Sequence, residues 1–137
     1  ETTESTACTA PSSWQKARSM PLFELHGAND NIALWNGDEI NTNGYGSYTS
    51  LLNTYDNYWK TRYSCDVSSG PILLDSGGVS INTFKWTGCH EGYNLEEDSN
   101  AELWLYNTEN KGHTWGIMGT NLATSTAIWE FFSMYVP

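Results

Sequence analysis

Pro21-Leu22-Phe23-Glu24-Leu25-His26-Gly27-Ala28-Asn29-Asp30 is the stretch on which the fold turns. Pro21 marks an entry, and Leu22, Phe23 and Leu25 form a short apolar run suited to a buried strand. His26-Gly27 ends it, and Ala28-Asn29-Asp30-Asn31 is a cluster of turn-forming residues. An acid just past the C-terminal end of a buried strand stands where open α/β sheets carry their chemistry. A second stretch of the same design lies far down the chain. Leu103-Trp104-Leu105-Tyr106 is an apolar strand, and Gly112-His113-Thr114-Trp115-Gly116 follows it.

Acid first and histidine last is the order of the second and third members of an α/β-hydrolase triad, Ser…Asp…His. With its flanking motifs, the chain resembles the C-terminal half of secreted α/β-hydrolase esterases: feruloyl esterases, acetyl xylan esterases and polyhydroxybutyrate depolymerases. The matching segments are His26-Gly27…Asp30, a helix ending near Cys65, Trp86-Thr87-Gly88-Cys89, Gly112-His113-Thr114-Trp115 and Ile128-Trp129-Glu130-Phe131-Phe132. They cover residues 20–136. The resemblance implies an α/β fold, the C-terminal part of a doubly wound, mostly parallel sheet. The half that carries the nucleophile is absent from this chain. On this reading residues 1–137 are one partial domain, with 1–19 a Ser/Thr-rich loop or arm and 20–137 the portion bearing the triad acid and histidine.

Composition narrows the functions. Sixteen acids against six bases leave a net charge of −10. That argues against nucleic acid, where basic patches supply most of the affinity, and against anionic membrane surfaces. No apolar run is long enough to span a bilayer. The start, Glu1-Thr2-Thr3-Glu4-Ser5-Thr6-Ala7, is polar and unlike a signal peptide. Seven tryptophans and eight tyrosines suit either packing or an aromatic surface for sugar rings and aromatic acids. Three cysteines are an odd number. Cys65 and Cys89 could close a loop of about 25 residues, worth roughly 3 kcal/mol in the chain-entropy model. Cys8 would then need a partner outside this chain. Disulfide use places the protein in an extracellular, oxidising compartment.

Turn chemistry at Asn36-Gly37, Asn43-Gly44 and Gly46 makes 31–46 a long loop of the kind that shapes pockets. Ser47 or Thr49 is expected to cap a helix running to about Ser64, with Leu51, Leu52, Tyr55, Tyr58, Trp59 and Tyr63 mostly toward the sheet. Ile72–Leu74 and Val79–Trp86 flank Asp75-Ser76-Gly77-Gly78, the pattern of a β-hairpin. Residues 93–100 read as an acidic, solvated loop. Leu122–Tyr135 reads as a final helix whose Ile128, Trp129, Phe131 and Phe132 make a wide apolar face.

In the functional reading His113 is the general base, Asp30 orients its imidazole, and Trp35 and Trp115 are candidate substrate contacts. From the local sequence alone His113 reads first as a surface histidine in a Gly-rich loop, and it is the ordered resemblance that makes it the base. Asp30 also reads as an Asx-turn residue, which is compatible with its role as the acid. Asp38 and Glu39 are alternative acids further into the loop. His26 reads as a structural histidine of the turn and His90 as exposed. No metal site and no cofactor is expected, since the three histidines lack the spacing of a helical zinc motif. The nucleophile is missing. An elbow needs Gly-x-Ser-x-Gly between strand and helix, and the nearest string, Gly78-Val79-Ser80-Ile81-Asn82, lacks the second glycine and enters a strand.

Two functional classes follow. One is part of a secreted serine carboxylesterase acting on plant cell-wall esters, feruloyl or acetyl groups on xylan. Its serine then lies on a second chain or an N-terminal segment that also offers Cys8 a partner, and the chain alone is inactive. The other is a non-catalytic, hydrolase-like remnant serving as a polysaccharide-binding or structural module, with a polyhydroxyalkanoate depolymerase fragment as a further alternative.

Overall fold

The structure, a computed structural model, describes residues 18–91, 94–115 and 118–136. Cys8 and all but the end of the expected arm lie outside them. The centre of the molecule is a four-stranded sheet in the order β1-β8-β5-β4. Its members are β1 (Leu22–Gly27), β4 (Val67–Ser76), β5 (Val79–Thr87) and β8 (Leu103–Thr108). β1 and β8 run parallel, with Leu22 opposite Leu103 and Gly27 opposite Thr108. β5 is antiparallel to β8, and β4 antiparallel to β5. The sheet is therefore mixed, with its parallel pairing between the strands that precede Asp30 and His113.

Alternation along the strands separates two apolar faces. Leu22, Phe84, Trp86, Leu103 and Leu105 join Tyr55, Tyr63 and the Cys65–Cys89 disulfide in one cluster. Phe23, Leu25, Ile81, Trp104 and Tyr106 form the other with Met118, Ala123 and Ala127. A helix covers each face, which gives three layers around the sheet. Leu103 and Leu105 on one side and Phe131 on the other are 0% exposed, so each face has a buried centre.

The first helix, α1 (51–62), comprises Leu51–Asn53, a π-helical stretch Thr54–Trp59, and Lys60–Arg62. Its cap is Ser50, whose hydroxyl accepts from the Asn53 amide, not Ser47 or Thr49. Thr49 is instead paired in the short strand β3 (Tyr48–Thr49) against β2 (Gly37–Asp38), and the helix begins only after it. The helix also stops short of Ser64, which has a left-handed backbone at φ 46°. Tyr55 and Tyr63 are buried as the spacing requires, whereas Tyr58 faces outward.

The expected hairpin is present but longer. Both arms extend to Gly77-Gly78, whose positive φ angles make the turn. Ile72, Leu73 and Leu74 are exposed because β4 is an edge strand. The acidic segment is corrected more substantially: β7 (Asn94–Asp98) is a strand paired with β6 (His90–Glu91). Charged side chains do not oppose strand formation where only the backbone must be paired. The final helix, α2 (Asn121–Ser133), starts at Thr120, whose hydroxyl accepts from the Ala123 amide. Its apolar face is narrower than expected. Phe131 is buried, but Trp129 and Phe132 are 66% and 44% exposed.

Candidate functional site

β1 and β8 end side by side, so the loops leaving them share one edge of the sheet. Backbone hydrogen bonds tie those loops together. The Ala28 amide donates to the Thr108 carbonyl at 2.9 Å and the Asn29 amide to the Lys111 carbonyl at 2.8 Å. Gly27 permits the approach. A Cβ there would lie 2.3 Å from the Lys111 oxygen and 2.6 Å from the Gly112 oxygen. Both are backbone atoms that cannot rotate away, so the glycine after His26 is a steric requirement of this junction.

The junction delivers Asp30 to His113, 83 residues later. Asp30 Oδ2 lies 2.8 Å from His113 Nδ1. The other carboxylate oxygen accepts from the amides of Ile32 at 2.8 Å and Ala33 at 2.9 Å. Asp30 is thus both the Asx-turn residue and the acid on the ring. Burial works to raise its pKa, but the Ile32 and Ala33 amides and the His113 imidazole outweigh it and hold the carboxyl below its ordinary range. An ionised carboxylate only accepts, so Nδ1 of His113 carries the hydrogen of this bond. In the neutral ring Nε2 is then the basic nitrogen. The two side chains differ in exposure, 5% for Asp30 and 57% for His113. The acid is enclosed and the imidazole stands out from it.

A cleft of about 380 Å³ opens here, lined by Glu24, Leu25, His26, Asp30, His113 and Trp115 among others. An adjoining apolar groove of about 250 Å³ runs between Phe23, Leu25, Trp115 and Ile128. Trp115 borders both and is 67% exposed. Trp35 is not among the residues lining either cavity. It packs behind His26, ring centroids 6.0 Å apart, and against Phe84.

The alternative acids are occupied elsewhere. Asp38 is buried in its own loop, where its carboxylate accepts from the Thr42 and Asn43 amides, each at 2.7 Å, which lowers its pKa. Glu39 is exposed and lies outside the cleft lining. His26 is buried, and its Nε2 donates to the Ala33 carbonyl at 2.7 Å. His90 corrects an expectation. Its side chain is only 14% exposed, lying 3.2 Å from both Asp66 and Asp98. The chain folds back over it through β7, which local sequence does not reveal. Among the described residues no group of three or more His, Cys, Asp or Glu is arranged to hold a metal ion.

Glu24 is the site residue the sequence reading passed over. It lines both cavities, and Tyr55 Oη donates to its carboxylate at 3.4 Å. Its place two residues before His26 on the same strand face was the available signal. No protein-family model, curated protein or solved structure matches this chain.

Proposed function

We propose that this chain supplies the acid and base of a Ser-His-Asp carboxylic-ester hydrolase, as the C-terminal part of a secreted α/β-hydrolase. The observation that carries the reading is the Asp30–His113 bond, formed between loops that leave adjacent parallel strands. A buried carboxylate on Nδ1 leaves Nε2 to take a proton from a hydroxyl and later return it to the leaving alcohol. The half-open cleft leaves room beside the ring for a hydroxyl and an ester. Among the described residues no serine lines that cleft, and the sequence holds no Gly-x-Ser-x-Gly elbow. On this reading the nucleophile and oxyanion hole come from a segment outside this chain. The Cys65–Cys89 disulfide agrees with an oxidising, extracellular setting. Among the described residues no helix is long and apolar enough to cross a membrane. The exposed Trp115 and the apolar groove beside it favour an ester with an aromatic or sugar component, such as a feruloyl or acetyl group on xylan.

A second reading starts from the same cleft lining, which holds no serine among the described residues. Here the domain is a non-catalytic module whose Trp115 stacks on polysaccharide. Assay of the isolated chain with p-nitrophenyl acetate and methyl ferulate, before and after addition of the segment that completes it, separates the two. The ester-hydrolase reading expects no enzymatic turnover from the chain alone and turnover once it is completed. Persistent inactivity together with xylan binding that depends on Trp115 would favour the module.

A further inference from the structure

His26 is unused by the chemistry above, yet it is buried and surrounded by that site. Its Nε2 donates to the Ala33 carbonyl, and the Ala33 amide donates to Asp30 Oδ1. The same Nε2 lies 3.8 Å from Asp30 Oδ2, the oxygen that faces His113. On the opposite edge of the ring, Nδ1 is 3.7 Å from Glu24 Oε1, an ion-pair neighbour beyond hydrogen-bond reach. Glu24 is held in turn by the Tyr55 hydroxyl from α1, and the Trp35 ring covers His26 from its loop. Glu24, His26, Asp30 and His113 thus follow one another as acid, base, acid, base.

We infer that His26 is a positioning residue: it closes the 30–33 turn from behind and so holds the Asp30 carboxylate against His113. This inference rests on the proposed role of the Asp30–His113 pair and names the support of that site. The geometry explains why a backbone bond alone does not suffice. Asp30 Oδ1 is secured by two amides of its own turn, but that turn is a surface loop. Without His26 the Ala33 carbonyl would lose its anchor to β1, and the carboxylate could tilt with the loop. Burial opposes a charge on the ring, yet Glu24, the Ala33 carbonyl and Asp30 raise its pKa above the ordinary histidine value. His26 therefore also adds positive charge beside Asp30 as the pH falls.

The experiment is NMR of the chain itself, following exchange of the His113 Nδ1 proton with water. Replacement H26A removes the anchor and should speed exchange about tenfold, the scale of one lost hydrogen bond. Replacement H26Q, whose amide nitrogen can still donate to Ala33, should restore the wild-type rate. H90A, which empties a covered histidine site elsewhere, should leave the rate unchanged, so general loosening of the fold is excluded. Should H26A fail to fold, H26N, polar but too short to reach Ala33, is read in its place. Acceleration by D30N but not by H26A or H26N would overturn the role of His26 and leave the proposed function standing. A proton indifferent to D30N as well would overturn the Asp30–His113 pairing and the proposed function with it.

Discussion

At Asp30, burial and hydrogen bonding act in opposite directions, and the bonds prevail. The consequence for stability has a definite sign. A carboxyl whose folded pKa lies below its unfolded value of 3.8 stabilises the fold above that value, and the contribution is lost as pH falls through the folded pKa. The stability advantage of the wild type over D30N, measured by urea unfolding, is therefore expected to be steady near neutral pH and to shrink on acidification below about pH 3.8. His26 behaves in the reverse sense, since its folded pKa is raised from 6.5. Its contribution is complete below that value and fades as pH rises through the folded pKa, so the wild type should exceed H26Q most at mildly acid pH. An advantage over H26Q that grows with rising pH would contradict this assignment. That residues 30 and 113 would meet was legible from the order of the motifs, each placed just past the end of a strand, and not from either local pattern alone. Trp35 and Glu24 were not. An aromatic residue in a loop does not reveal which side of the loop it faces, and a carboxylate in an apolar strand reads as exposed until its partner from α1 is known.

β1 and β8 form the element that positions the site, and Gly27 is its tightest point. Replacement G27A forces a Cβ against the Lys111 and Gly112 carbonyls. A loss of about 1–3 kcal/mol is expected from overpacking at that point. The His113 loop should retreat with it, visible as loss of the Nδ1 hydrogen-bond signal. Unchanged stability and an unchanged signal would show that the two loops approach less closely than this. On the opposite face, F131A should cost about 3–5 kcal/mol as a buried aromatic truncation, whereas W129A should be close to neutral because its side chain is largely exposed. That contrast marks where periodicity falls short. A helix reads as wide-faced when aromatics adjoin, but a four-stranded sheet presents it with limited width, and the outer aromatics turn away. The Ser50 cap and the β6–β7 pair were equally hidden, because each depends on backbone pairing outside its own segment.

At the scale of the molecule, one covalent link ties the end of α1 to the end of β5, through Cys65 and Cys89. Reduction should lower unfolding stability by about 3 kcal/mol in the chain-entropy model, read as a lower urea midpoint. A midpoint unmoved by reductant would mean that the link adds nothing. Both cysteines are buried among aromatic residues of one cluster, so the pairing joins elements already in contact. The order of strand, acid, helix, hairpin, strand and histidine was readable along the chain, and the two apolar faces follow from it by alternation. The position of the edge strands was not readable, since Ile72-Leu73-Leu74 is as apolar as a central strand yet lies at the border of the sheet.

The central proposal is that Asp30 and His113 activate a serine supplied from outside this chain. The most direct measurement is fluorophosphonate labelling of the native protein that contains this chain, with any second chain included and the modified serine located by peptide mapping. The account predicts label on a serine outside these 137 residues, with D30N slowing its uptake by on the order of 10⁴, the effect of the same replacement in a serine protease triad. No uptake of label, or label on a serine within this chain, would contradict it.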